Sequence, residues 1–169
     1  MSKGSDNYYT PSALIEVEKR VMGVVDLDPC SSELANKIVN ANRIYTLENS
    51  MFRNSLACDS MHFNPPYSNP MPFVERVVSE YQQGNIGQVC GVLNVDCSTR
   101  WFAEIKKIAD GYCFLSERIQ FDKANESQTE ITETGGNSRC QFYFYAGRHA
   151  GWFLKQFEPL GLCLLHHRL

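Results

Sequence analysis

The sequence predicts an α/β fold, a mostly parallel sheet covered by helices, with antiparallel strands near its C-terminal end. Three features predict it. Short β-branched runs alternate with stretches of helical period. Ile86 to Leu93 is almost continuously apolar, as a strand buried on both faces must be. An aromatic run, Gln141 to Tyr145, follows a long polar segment late in the chain.

Each element follows from local chemistry. Residues 1–7 read as a flexible start. Thr10 is expected to cap a helix whose first turn holds Pro11. Leu14, Val17 and Val21 form its apolar stripe, and Glu16, Glu18, Lys19 and Arg20 fill much of the remaining surface. Gly23 ends it. Val24 to Leu27 reads as a buried strand stopping at Asp28-Pro29, and Ser31 or Ser32 caps a second helix reaching about Ala41. Arg43 to Thr46 is a second short strand and 47–58 is loop-like. Asp59 to Phe63 is a third strand, running into Asn64-Pro65-Pro66-Tyr67. Pro72 opens a helix that Gly84 closes, with Phe73, Val74, Val77, Val78 and Tyr81 apolar along it.

After the Ile86–Leu93 strand, a helix is expected over Ser98 to Ala109. Short strands follow at Tyr112 to Leu115 and Arg118 to Phe121. Residues 122–138 are polar, contain Gly135-Gly136 and read as a long exposed loop. The aromatic strand, a helix over 151–158 and a strand over 161–165 complete the chain.

With 169 residues and 43% hydrophobic content, the chain can bury one good core, so residues 1–169 read as a single domain. Its formal charge of −3 argues against a protein that coats DNA, whose affinity would come from neutralising phosphates. An enzyme with one local cationic face is still allowed. The seven cysteines are odd in number and contain no C-x-x-C pair, which points to reduced, structural thiols and a cytoplasmic setting. Neither a signal-peptide core near Met1 to Thr10 nor a membrane-length apolar run is present, and no metal is expected. Oligomeric state is left open.

Asn64-Pro65-Pro66-Tyr67, between a predicted strand and a predicted helix, is the most informative segment. As pure structure it would be a rigid turn with a packed tyrosine. As chemistry, it suits activation of an exocyclic amino group, whose lone pair is delocalised into its ring. Accepting hydrogen bonds from both N–H groups favours a tetrahedral nitrogen with its lone pair turned toward an electrophile. The Asn64 side-chain oxygen and the Pro65 carbonyl supply two acceptors, and proline fixes φ so that the carbonyl stays in place. Pro66 stiffens the turn, and Tyr67 can stack on a base extruded from its helix.

Tyr8-Tyr9-Thr10-Pro11, Asp26-Leu27-Asp28-Pro29-Cys30-Ser31-Ser32, Asn64-Pro65-Pro66-Tyr67-Ser68 and Thr99-Arg100-Trp101-Phe102, in that order, resemble the phage-borne Dam-like DNA adenine methyltransferases. The similarity spans about residues 8–148. It implies a minimal class I, Rossmann-like methyltransferase fold, S-adenosylmethionine as donor and the adenine amino group of DNA as acceptor. It also implies that Tyr9, Thr10, Pro11, Asp26, Asp28, Pro29 and Cys30 line the donor site, with Asn64 beside them. The sequence departs from the broader pattern in one respect: the turn at Asp28 to Ser32 has no glycine. Glu48 is the candidate ribose acid, with Asp26 and Asp28 as alternatives.

Weaker signals surround this motif. Arg100 and Trp101 follow the buried strand, at the sheet edge where ligands bind, and Trp101 suits either the core or a contact with nucleic acid or cofactor. Arg118, Lys123, Arg139 and Arg148 could form a cationic DNA face or be scattered solubilising charges. The polar loop could recognise the target or be a plain insertion. His62 reads as a packed side chain, and His166-His167-Arg168 as an exposed tail. Two rival functions stay open. One is a silent methyltransferase-like binding module, motivated by the glycine-free turn. The other is transfer to cytosine, RNA adenine or protein glutamine, whose amino groups need the same activation.

Overall fold

A computed structural model of the chain describes residues 8–124, 131–133 and 138–167. The elements are β1 (Tyr8–Tyr9), α1 (Ser12–Met22), β2 (Leu27–Asp28), α2 (Glu33–Val39), β3 (Arg43–Ile44), β4 (Cys58–Phe63), α3 (Met71–Gln82) and β5 (Ile86–Asn94). After them come α4 (Arg100–Ile105), β6 (Gly111–Leu115), β7 (Asp122–Ala124), β8 (Ile131–Glu133), β9 (Gln141–Ala146), α5 (Ala150–Phe157), a 3-10 turn and β10 (Gly161–Leu165).

Seven strands form one sheet in the order β10-β6-β9-β5-β4-β2-β3. The four from β3 to β5 run parallel, while β9 is antiparallel to both β5 and β6, and β10 is antiparallel to β6. This is the mixed α/β sheet the sequence predicts. The central strands are buried on both faces, and alternation sorts their side chains. Phe142 and Phe144 of β9 join Met61, Phe63, Val89 and Leu93 under α3 and α4. Tyr143 and Tyr145 face the other way, with Cys90 and Val92, under α1, α2 and α5.

Tight packing at the centre comes from Gly91, paired with Phe144 across β5 and β9. The Phe144 ring lies over this glycine so closely that an added Cβ would overlap it.

Several expectations change. The 118–121 segment is not a strand; it buries Ile119 and Phe121, and Ile119 N–H donates to the buried Gln141 Oε1 at 3.3 Å. The expected 122–138 loop carries β7 and β8, and β1 pairs with β7 to make a second, three-stranded sheet. Residues 1–7, 125–130 and 134–137 lie outside the described residues, as does Arg168. Thr10 does not cap α1; Pro11 holds that position, and its carbonyl accepts from Leu14 N and Ile15 N. Glu18, expected at the surface, is fully buried. His166, expected in a loose tail, holds the Ala109 carbonyl through Nδ1 at 3.0 Å.

Candidate active site

The parallel strands end along one edge of the sheet, and the chemistry-bearing residues collect there. β2 ends at Asp28, β4 runs into Asn64, and β5 ends at Asn94. A cavity of about 680 Å³ opens at this edge, a size suited to a small organic ligand. Asn64, Pro65, Pro66 and Tyr67 all line it. So do Tyr9, Thr10, Asp28, Pro29, Cys30 and Glu48. The Asn64 to Tyr67 turn and most of the expected donor residues therefore share one space.

Asn64 is held by its nitrogen. Its Nδ2 donates to the Tyr8 carbonyl and to Thr10 Oγ1, each at 3.2 Å. Its Oδ1 makes no hydrogen bond among the described residues. The amide is thus fixed as an acceptor, the orientation that activation of an amino group requires. β1 is what places this anchor, because pairing with β7 holds Tyr8 beside the turn. The sequence gives little sign of it: the functional atom is a backbone carbonyl, and a two-residue strand leaves almost no pattern.

Tyr67 sits among aromatic rings, 6.5 Å from Tyr8 and 5.8 Å from Phe121 between centroids. Its hydroxyl is buried without a hydrogen-bond partner among the described residues, and burial pushes the phenol's pKa up.

Asp28 is buried, with Oδ1 accepting from Cys30 N–H at 3.2 Å. This Asx turn shapes the glycine-free segment in place of glycine. Burial first, and then the Asp28 charge, holds the Cys30 thiol well above its ordinary range, so it stays protonated. Glu48 is exposed at the cavity rim and accepts from Thr46 Oγ1 at 2.9 Å.

Two expected donor residues lie elsewhere. Asp26 is at the opposite edge of the sheet, where Oδ1 accepts from Asn42 Nδ2 and Oδ2 from Asp59 N–H, both at 3.0 Å. Its carboxylate ties strands together. Pro11 starts α1 and does not line the cavity.

The basic residues divide by topology. Arg100 follows β5, Arg118 follows β6 and Arg139 precedes β9, which brings all three to the edge that bears the cavity, and all three are exposed. Arg148 follows β9 and lies at the other edge. Lys123 pairs through its backbone with Tyr8, and its side chain lies outside the described residues. Trp101 stacks on Phe142 at 6.2 Å and 9°, half-buried against the core and outside the cavity lining.

One pair of residues at this site escaped the sequence reading. His62 precedes the turn by two positions, so alternation puts it on the same face as Asn64, and it lines the cavity. Its Nδ1 donates to Glu18 Oε2 at 2.7 Å, with both side chains buried.

A family model describing DNA N-6-adenine-methyltransferase (Dam) matches residues 1–150. The chain belongs to the Dam family. A DNA N-6-adenine-methyltransferase of Haemophilus phage HP1 is 40% identical over 101 residues, covering 57% of this chain and 54% of that protein. One of Escherichia phage T1 is 30% identical over 105 residues, covering 62% and 42% respectively. This Dam-family chain thus spans about half the length of the curated relatives it matches. Among solved structures it aligns with the METTL16 MTase domain at a TM-score of 0.41 and 11% identity, covering 79% of this chain and 66% of that one. It also aligns with the human methyltransferase 10 domain containing protein at 0.34 and 16%, covering 67% and 53%. Both overlaps are loose, and the family assignment rests on the sequence match.

The site suits the donor such a family implies. Leu47, Met51 and Phe73 are among the apolar residues that line the cavity, and Glu48 lines it as well. Thr10, Asp28 and His62 are among the polar residues that line it.

Proposed function

We propose that this protein is a DNA adenine N6-methyltransferase that uses S-adenosylmethionine. The observation that carries this reading is the anchored Asn64, whose Nδ2 is committed to Tyr8 and Thr10 while Oδ1 is left to accept beside a ligand-sized cavity.

Bound S-adenosylmethionine would supply an electrophilic methyl group; the chain's own residues do the rest. Asn64 Oδ1 and the Pro65 carbonyl accept from the two hydrogens of the adenine amino group, favouring a nitrogen lone pair that points away from the ring. No backbone N–H among the described residues donates to the Pro65 carbonyl. Tyr67 supports the extruded base by stacking, which offsets part of the cost of unstacking it from DNA. Tyr9, Thr10, Asp28, Pro29, Cys30 and Glu48 hold the donor. The rate gain comes from alignment and from fixed acceptors that need no reorganisation during transfer.

Arg100, Arg118 and Arg139 receive the DNA phosphates, with Trp101 buttressing the surface behind Arg100. A local cationic edge of this kind reconciles DNA binding with a formal charge of −3. The test is incubation of unmethylated DNA with labelled donor, followed by mass spectrometry of the nucleosides. N6-methyladenine is expected with wild type and not with Asn64→Ala. Label on cytosine, or no label with wild type, would overturn the assignment.

A further inference from the structure

His62 and Glu18 are not needed for the chemistry above, yet they bury two ionisable groups directly behind it. Burying a carboxylate and an imidazole costs several kcal/mol unless the pair is well made, and an apolar pair would often be as stable. The residues are therefore poor choices for packing alone, and their placement suggests use.

His62 is 2% exposed, and the cavity is the space it borders. Nδ1 is taken by Glu18, which is 0% exposed and has no route to the ligand itself. Nε2 makes no hydrogen bond among the described residues. Burial pushes against the ring's charge. The Glu18 carboxylate, through its charge and then its hydrogen bond, with Asp28 adding to it, holds the pKa up at about 9. At neutral pH both ring nitrogens then carry protons, and Nε2 offers a charged donor.

The donor molecule has a single anionic group, the carboxylate of its methionine portion. Its sulfonium and ammonium are cations and would be repelled by an imidazolium. The Leu27–Met61 register sets Asp28 beside His62 on the neighbouring strand, so one acid and one base stand next to each other in the cavity lining. Asp28 Oδ1 accepts from Cys30, and Oδ2 makes no hydrogen bond among the described residues. A zwitterion fits such a pair, carboxylate toward the histidine and ammonium toward the aspartate.

We propose that His62, oriented and charge-balanced by Glu18, binds the carboxylate of the methyl donor through Nε2. This rests on the reading of the cavity as the S-adenosylmethionine site. His62 touches the donor; Glu18 is a positioning residue that acts through His62.

The test compares two ligands by titration calorimetry, S-adenosylhomocysteine and its counterpart lacking the carboxyl group. Wild type is expected to prefer the carboxylated ligand by roughly 10- to 100-fold, the scale of a charged hydrogen bond. In the double variant His62→Gln/Glu18→Gln, which removes both charges together and leaves an amide pair, the preference should shrink to about twofold. Equal wild-type affinities, or a preference that survives in the double variant, would overturn the assignment of His62 while leaving the cavity as the donor site. Binding of neither ligand by wild type would overturn both readings. A double variant that keeps the preference but loses affinity for adenine-containing DNA would reassign the group to the base, which also overturns the proposal. Should the double variant not fold, proton NMR of wild type decides. The His62 ring N–H resonances should shift with S-adenosylhomocysteine and stay in place with the decarboxylated ligand; the same shift with both ligands would count against the carboxylate.

Discussion

Asn64 and Tyr8 are joined by a 3.2 Å hydrogen bond from the Asn64 side-chain nitrogen to the Tyr8 carbonyl oxygen, across 56 residues of chain. The bond decides which end of the amide faces the cavity. Without it the amide could rotate and present a donor where an acceptor is needed.

Replacing Asn64 with alanine should therefore lower kcat by about 10²- to 10³-fold, the loss typical of one preorganised polar group. Circular dichroism and thermal melting should show the fold retained. Wild-type turnover in this variant would remove Asn64 from the chemistry.

Thr10 tests the anchor separately. Thr10→Val keeps the shape and removes the Oγ1 acceptor, leaving the Tyr8 carbonyl to hold Asn64 alone. The expected loss is about 2- to 12-fold in kcat, the size of one ordinary hydrogen bond. Steady-state kinetics with saturating DNA should show it. An unchanged kcat would mean that the Tyr8 carbonyl suffices.

Tyr67 separates ring from hydroxyl. The hydroxyl is buried without a partner among the described residues, so Tyr67→Phe should turn over like wild type and be no less stable. Tyr67→Ala should reduce turnover by about 5- to 150-fold, since base–aromatic stacking is worth about 1–3 kcal/mol. If Phe were as damaging as Ala, the hydroxyl would have to carry the function.

The His62–Glu18 pair makes stability depend on pH. The pKa of His62 is about 9 in the folded chain, above the ordinary value near 6.5. Its contribution is therefore complete below about pH 6.5 and is lost as pH rises through about 9, with a size on the order of 3 kcal/mol. The ring faces Glu18 from α1 and Asp28 from β2, with Cys90 of β5 and Tyr143 of β9 in the same buried face. Urea melts at pH 6 and pH 9.5 should differ for wild type. Much of that difference should disappear in His62→Gln/Glu18→Gln.

At the sheet centre, Gly91→Val should destabilise by about 1–3 kcal/mol or prevent folding, because the Phe144 ring occupies the space of any side chain there. Pairing the change with Phe144→Ala should recover part of the loss, which chemical denaturation would measure.

Much of this architecture was legible because burial and period leave a trace. Ile86–Leu93 and Gln141–Tyr145 could hardly be anything but central strands, and the Asn64 to Tyr67 turn stands out by composition. Residues whose role depends on a distant partner were harder to read. Glu18 looks like a surface charge on its helix until His62 is seen beside it. Asp26 and Asp28 are indistinguishable in sequence, yet two positions of strand carry one to the bonds that tie the sheet and the other to the cavity. Thr10 has the side chain of a helix cap, and it is instead spent on Asn64. The small β1-β7-β8 sheet was missed because its strands have two or three residues each, too few to show alternation.

The β1–β7 pairing carries a consequence for how the molecule matures. Tyr8 meets Lys123 and Tyr9 meets Asp122, contacts between segments remote along the chain, and such closures come late because loop entropy opposes them. The large sheet can condense around its aromatic centre before those few residues meet. Competence for methyl transfer should then lag behind compaction during refolding, a delay visible as fluorescence recovery that precedes the return of activity.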